Sequence, residues 1–391
     1  MKTKSSLFSL FFLVTVVLQA QRFDFKFKFD GVDREFILAK PSGATPASGY
    51  PVVMMLHGTT GDGEKFYNLS GFKELGEKEK FISVFPSSLA YCYIGDMGFN
   101  VTNTKWNNGD LQANKCTNRT QDFKDDVKFI RKVIDTVSKR MNVNPKMIFI
   151  SGFSNGSVMT NKLAVEASDL FSAAASNAGA LSNLDSAKPL RYIPVYQTFG
   201  TQDQYLIEAF GRSLPFNDSL INYLVPLSRT ALGAFNISNT YTNNKTANLY
   251  HYYFEKPKSS TQKNYYYYSF IKDLDHEFPN GVNHPVVAAV LYWEFFKQAI
   301  AKTTPYNAVL QPIKPLKIYP NPSNEIANIV VPDYWKEVDL TIINTMGECV
   351  WNKKSLKSHM LAISKHQMGN GMYTILASCK TECYMGKLIF Q

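Results

Sequence analysis

Residues 148–164, IFISGFSNGSVMTNKLA, change character at their midpoint. A β-branched and aromatic run, Ile148 to Ile150, gives way to Gly152-Phe153-Ser154-Asn155-Gly156, and a helix-forming stretch follows. Buried parallel strands read as short, nearly continuous apolar runs, so the segment predicts strand, sharp corner, helix. Where a corner is this tight, side chains two positions either side of its apex collide with the strand and the helix. Glycine at both of those positions fits that constraint, and it lifts Ser154 onto the edge of the sheet at a helix N-terminus.

The same pattern recurs on both sides of the corner. YPVVMMLHG (50–58), FISVFP (81–86) and IPVYQTFGT (193–201) are further short apolar runs. In FKDDVKFIRKVIDTVSKRM (123–141), Val127, Ile130, Val133, Ile134 and Val137 share one helical face. Alternating strand and helix of this kind predicts an α/β fold, a mostly parallel sheet flanked by helices. Upstream, Phe23, Phe25, Phe27 and Phe29 alternate with polar residues up to Asp30-Gly31, the pattern of a hairpin. Downstream, the tyrosine-rich LYHYYFEKP (249–257) and NYYYYSFIKDLDHEF (264–278) predict a second hairpin near the end of the sheet, and VVAAVLYWEFFKQAI (286–300) the closing helix.

Length and composition agree with this. The chain has 391 residues, 45% hydrophobic and 19% charged, enough to bury a large core. Its first residues place Lys2 and Lys4 before an apolar run, Leu7 to Leu18, with a small residue at Ala20. That is the form of a signal peptide over 1–20, and the run is too short to span a bilayer, leaving no membrane span after cleavage. The net charge of +10 is dispersed among acids, as in GFKELGEKEKF, which argues for a solvated surface and against a nucleic-acid partner. Five cysteines fit export: Cys92 and Cys116 flank a loop, Cys379 and Cys383 could staple a hairpin, and Cys349 is left over, so the pairing stays open. The expected organisation is a catalytic domain over 22–304, a proline-bearing linker over 305–316 and a small all-β, sandwich-like domain over 317–391.

A serine hydroxyl is a weak nucleophile without a base, and the base needs an orienting acid. In this fold the chain order is nucleophile, acid, histidine. Of the six histidines, His276 and His284 follow the tyrosine-rich strand, and His276 is favoured because it lies at the strand's exit, whereas His284 precedes Pro285. For the acid, Asp203 is expected just beyond the first strand after the nucleophile helix, following a Gly200-Thr201 turn, and is favoured over Asp185 and Asp218. Oxyanion donors are expected from the backbone amides of Thr59, after His57-Gly58 at a strand end, and of Asn155. No cysteine/histidine spacing points to zinc and no glycine-rich phosphate cradle is present, so no cofactor or metal is expected.

LHGTTGDG (56–63), ISGFSNGSVMT (150–160), TFGTQD (198–203) and DHEFPNG (275–281), in that order, resemble the α/β-hydrolase esterases of the feruloyl esterase and polyhydroxybutyrate depolymerase group, akin to carbohydrate esterase family 1. The resemblance implies Ser154 as nucleophile, Asp203 as acid and His276 as base. The sequence departs from the group's pattern at Asp275, Phe278 and Ser157, which weakens transfer of substrate preference. Trp106, in TKWNNGD, resembles a Trp-Asn loop of the group and is expected either to line the acyl pocket or to pack in the core. With Phe278 beside the base, it fits a small aromatic or acetyl acyl group. IYPNPSNEIANIVV (318–331) and the terminal strands resemble the C-terminal sorting domain of type IX secretion cargo, which implies export to the cell surface or medium through that machinery. The expected function is a secreted serine esterase acting on feruloyl or acetyl esters of plant polysaccharide. The alternatives are a polyester depolymerase, a serine peptidase and a non-catalytic binding protein.

Overall fold

The computed structural model describes residues 20–117, 119–181, 188–259, 263–303, 314–344, 349–379 and 383–391. The signal segment before Ala20, Asp185, most of the linker, and the side chains of Cys349 and Cys383 lie outside that set. The chain divides into two compact units, Met1–Thr303 and Thr304–Gln391.

The first unit opens with β1 (Gln21–Phe29) and β2 (Val32–Lys40), paired antiparallel across Asp30-Gly31, both at positive φ as a tight hairpin turn requires. There follow β3 (Tyr50–Leu56), α1 (Gly63–Leu69), α2 (Phe72–Glu79), β4 (Ile82–Pro86), β5 (Ala90–Ile94), β6 (Asn100–Thr104), α3 (Asp110–Ala113) and α4 (Asp126–Arg140). The corner segment supplies β7 (Val143–Phe153) and α5 (Asn155–Glu166). Then come β8 (Ala173–Asn177), β9 (Val195–Gly200), α6 (Gln204–Phe210), α7 (Ile221–Ala234), β10 (Thr242–Lys245), β11 (Leu249–Phe254), β12 (Tyr266–Ile271) and α8 (Ala288–Thr303).

Among these residues ten strands form one sheet in the order β1-β2-β4-β3-β7-β8-β9-β12-β11-β10. The six central strands, β4 to β12 in that order, are mutually parallel, and the strands outside them pair antiparallel. This is the α/β-hydrolase architecture the sequence predicts.

Both faces of the sheet are buried, which explains the continuous apolar runs. Successive residues of β7 point to opposite faces. Ile148 and Ile150 join the α4 residues Ile130, Val133 and Val137 in one core, and Phe149 joins Tyr292, Trp293 and Phe296 of α8 in the other. Asp125 caps α4 by accepting from Lys128 N, and Lys139 and Arg140 lie at its C-terminal end, where cations suit the helix dipole.

Strand β8, the β5–β6 hairpin and helices α6 and α7 carry no clear pattern in the sequence. β8 is an alanine-rich strand with no β-branched residue, so Asp203 follows the second strand after the nucleophile helix and not the first. β5 and β6 form a separate antiparallel hairpin, which the Cys92–Cys116 disulfide ties to the loop beyond it, with a Cα–Cα distance of 5.6 Å.

In the second unit, strands Lys314–Pro315, Cys383–Phe390, Gly371–Ser378, Val338–Ile343 and Cys349–Leu356 make one sheet, and Lys317–Tyr319, Ile326–Val330 and Met360–Ser364 another. Leu340, Ile342, Ile375 and Leu388 form its core, and Trp335 is buried with them.

The disulfide closes a loop across 24 residues of sequence. Chain-entropy arguments assign such a closure about 3 kcal/mol. Replacing both Cys92 and Cys116 by Ser is expected to lower unfolding stability by about that amount in urea titrations, with a larger m-value as the unfolded chain expands; unchanged stability would show that the crosslink constrains nothing.

Candidate active site

Ser154 sits at the junction of β7 and α5 with φ 53° and ψ −120°, a backbone conformation outside the ordinary regions for a non-glycine residue. Strain of this kind persists only where surrounding structure imposes it, and the glycines show how. A Cβ on Gly152 would stand 2.2 Å from Gly156 O, and one on Gly156 would stand 2.4 Å from His57 O. The helix therefore presses against β7 and the end of β3 with backbone alone.

The other two predicted residues arrive at the same edge. Asp203 follows β9, and His276 lies in the loop after β12, so all three are carried by the C-terminal ends of parallel strands, where open α/β sheets place their sites. His276 Nε2 is 2.8 Å from Ser154 Oγ, and His276 Nδ1 is 2.8 Å from Asp203 Oδ2. Asp203 is 2% exposed, and its other oxygen accepts from Tyr205 N at 3.0 Å. Two acceptor bonds fix that carboxylate, and the carboxylate in turn orients the imidazole with Nδ1 donating. Phe153 and Tyr205 pack against the ring at centroid distances of 5.2 and 4.6 Å.

His284 is not part of this arrangement. Its Nε2 donates to Lys272 O at 2.9 Å and its Nδ1 accepts from Val286 N at 3.1 Å, so both ring nitrogens are spent on the loop's own backbone. Asp218 takes the Tyr250 hydroxyl at 2.6 Å.

Asn177, at the end of the unread strand β8, joins the nucleophile corner to the histidine loop. Its carbonyl accepts from Ser154 N at 2.9 Å, its Nδ2 donates to Glu277 O at 2.9 Å, and Thr198 Oγ1 donates to its Oδ1 at 2.8 Å. The only sequence cue to it would be the break of an alanine run at a polar residue, which has many other causes.

Two of the residues expected at the substrate pocket lie elsewhere. Trp106 is fully buried and does not face the cleft: the packing alternative holds. Its indole Nε1 donates to His57 O at 2.9 Å, its backbone N donates to Asn155 Oδ1 at 2.6 Å, and Asn155 Nδ2 donates back to Trp106 O at 3.3 Å. Trp106 thus clamps together the β3 end that carries Thr59 and the helix start that carries Asn155. The next residue is anchored too: Asn107 N donates to Asp126 Oδ2 at 2.7 Å, and Asp126 pairs with buried Arg34 at 2.7 Å. Phe278 is also buried, packed edge-on against Phe66, Phe153 and Tyr292, because its loop turns it back into the core beneath the sheet edge.

Ser154, His276, Thr59, Asn155 and Phe153 border a cleft of about 730 Å³. Its far side is the unread β5–β6 hairpin and the segment after it, including Tyr93, Asp96, Phe99, Lys105 and Asp110. Tyr205 donates its hydroxyl to Asp96 at 3.2 Å across the opening.

His57 lies behind the cleft, wholly buried. Its Nδ1 donates to Gly58 O at 2.7 Å and its Nε2 accepts from Ser88 N at 3.0 Å, which fixes the neutral tautomer. Burial pushes its pKa down to about 4, with the Gly58 carbonyl opposing.

An α/β sheet with a serine on a strained strand–helix corner, hydrogen-bonded through histidine to a buried aspartate, is the arrangement of the α/β-hydrolase fold. Residues 42–217 match the family described as Phospholipase/Carboxylesterase, and residues 317–391 match the Secretion system C-terminal sorting domain. A bifunctional acetylxylan esterase/xylanase of Neocallimastix patriciarum is 25% identical over 45% of this chain and 22% of its own length. Feruloyl esterase B of Piromyces equi is 29% identical over 46% of this chain and 31% of its own. The chain spans less than half the length of these curated relatives. Among solved structures, an acetyl xylan esterase from Aspergillus awamori aligns with TM-score 0.44 and 17% identity, over 68% of this chain and 94% of that one.

Two outcomes follow from the supports of the site. Trp106→Phe keeps the packing and removes one hydrogen bond, so fluorophosphonate labelling of Ser154 should slow about tenfold with an unchanged pH profile; an unchanged rate would remove Trp106 from the positioning of the site. For His57, the folded pKa lies below the unfolded value near 6.5, so the unfolded chain binds the extra proton. Its contribution to stability is complete above that value and falls as pH drops toward 4, by about 3 kcal/mol. Urea titrations between pH 6.5 and 4 should show a shallower pH dependence in His57→Gln than in the wild type, and parallel curves would contradict the assignment.

Proposed function

We propose that this chain is an exported serine esterase that hydrolyses acetyl or feruloyl esters borne by plant polysaccharide. The single observation that carries the reading is the line Ser154 Oγ, His276 Nε2, His276 Nδ1, Asp203 Oδ2, with 2.8 Å at each hydrogen bond. The family match and the acetylxylan and feruloyl esterase relatives support the substrate class.

Ser154 Oγ attacks the ester carbonyl as His276 Nε2 takes its proton, and Asp203 holds the imidazolium in place. Negative charge grows on the carbonyl oxygen, facing the amides of Thr59 and Asn155. These donors suit the role because Trp106 and the helix corner fix them before reaction. Collapse breaks the bond to the alkoxy oxygen, His276 returns the proton to the departing alcohol, and an acyl-serine ester remains. Water, deprotonated by the same nitrogen, then attacks that ester, and Ser154 leaves with the proton restored while the acid departs.

Two features support export: the signal-peptide pattern read in residues 1–20, and the match of residues 317–391 to the sorting domain, the part that engages a type IX machinery.

Ser154→Ala should lower kcat by about 10³-fold or more with an intact fold, and His276→Ala should be nearly as damaging because the two act as a unit. His284→Ala should retain most activity. Turnover of acetylated xylan, methyl ferulate and polyhydroxybutyrate by the wild type tests the substrate class. Wild-type rates in Ser154→Ala would end the serine mechanism, and clearing of polyhydroxybutyrate without release of acetate or ferulate would replace the polysaccharide reading.

A further inference from the structure

A second cavity, of about 850 Å³, is larger than the catalytic cleft and shares no residue with it. It lies toward the β10 edge of the ten-stranded sheet, between α7 and the exit of β11. Leu232, Ile237 and Phe254 are buried beneath it, and Val225 and Tyr241, 50% and 38% exposed, stand at its rim. Its two sides are tied by backbone: Ser238 N donates to Lys256 O and Lys258 N to Asn236 O, each at 2.8 Å. Two features of this cavity have no use in the fold. Gly233 borders it from within α7, where glycine is less favourable than alanine. Its backbone is not left-handed, and a Cβ there would meet no atom within 4 Å, so neither conformation nor close packing calls for glycine. Arg229 and Lys258 also border the cavity, both exposed, and among the described residues neither charged group makes an ion pair or a side-chain hydrogen bond. No carboxylate borders it among those residues.

We propose that this cavity is a binding site for an amphipathic carboxylate, its alkyl chain in the apolar hollow and its charged end at Arg229 and Lys258. Apolar walls with a few convergent polar groups are the general form of a small-molecule site. Guanidinium and ammonium groups only donate, so the ligand's head must accept, and a hydrogen bond between two charged groups is among the stronger kind. Leu232, Ile237 and Phe254 offer no hydrogen-bonding side chain, so the rest of the ligand must be apolar. Ile221 and Val225 add to an aliphatic lining that suits a flexible hydrocarbon chain. The absence of a side chain at Gly233 leaves room for that chain, which gives the helical glycine its reason. An inorganic anion lacks the apolar body and an alkylammonium carries the wrong charge. The site does not rest on the esterase reading, because no residue of the catalytic line borders it.

Calorimetric titration of the full chain with octanoate, 1-octanol and octylamine, three ligands of one chain length and different heads, tests this. Octanoate should bind about tenfold more tightly than 1-octanol, by its charge-assisted bonds, and octylamine more weakly than either. Two variants locate the site, with thermal melts to show that each is folded. Gly233→Leu fills the hollow and should abolish binding of octanoate. Arg229→Gln combined with Lys258→Gln should lower octanoate affinity about tenfold, to the level of 1-octanol, and leave 1-octanol unchanged. Should Gly233→Leu fail to fold, the double variant decides alone, since it alters only exposed side chains. No measurable binding of octanoate to the wild type, or equal affinity for octanoate and octylamine, overturns the proposal. Octanoate binding that the double variant weakens by less than about threefold overturns it as well, because the ligand then sits elsewhere, the catalytic cleft included.

Discussion

Backbone pressed on backbone at Gly156 is the constraint on which the rest of the site depends. With no Cβ there, the first turn of α5 lies against the carbonyls of Leu56 and His57, and the serine before it is held at a strained positive φ. The same contact brings the end of β3 and the start of α5 together, which is where the two amides proposed to receive the oxyanion arise. A methyl group at either glycine would separate strand from helix and dismantle nucleophile and oxyanion donors at once.

Around that contact the protein uses burial to hold polar groups still. Trp106 reaches both sides of the approach through hydrogen bonds in a dry environment, and the segment that follows it is tied to the buried Arg34–Asp126 pair. Removing charges from water is unfavourable unless they are paired and hydrogen-bonded, and here that unfavourable arrangement fixes a loop that would otherwise be free to drift. His57 shows the same economy: neutral, with both nitrogens satisfied, it bridges the β3 end to Ser88. Asn177 plays the corresponding part on the other flank, where one side chain and one carbonyl couple the serine corner to the histidine loop. Preorganisation of this kind is what allows fixed dipoles to stabilise charge without rearranging.

The substrate side of the cleft is built differently. It comes from a hairpin outside the main sheet, crosslinked by a disulfide and bridged to the catalytic side by Tyr205 and Asp96. Loops on a rigid scaffold are where specificity varies most readily. A rigid serine corner and a separate, crosslinked wall let the reaction and the choice of ester be set by different residues.

Local rules were enough for the corner itself. Two glycines around a serine between an apolar run and a helical period fit a tight corner, and chain order narrows the base to His276 or His284, between which position at the strand exit favours His276. Periodicity likewise revealed the helix face of α4 and the flanking hairpins, because burial on one side or both leaves a repeat of 3.6 or an unbroken apolar run. Strand β8 left no such trace, since a central strand of alanines satisfies neighbours on both faces without β-branched residues. The orientation of Trp106 and Phe278 was equally invisible: an aromatic residue near a motif is compatible with lining a pocket or filling a core, and only the packing of distant segments decides. The cleft wall of Tyr93, Lys105 and Asp110 depends on a hairpin folding back over the sheet edge, a long-range event that no local pattern encodes. The chemistry at the serine was therefore written in short-range sterics, whereas the shape that receives the ester was set by tertiary contacts between segments far apart in the chain.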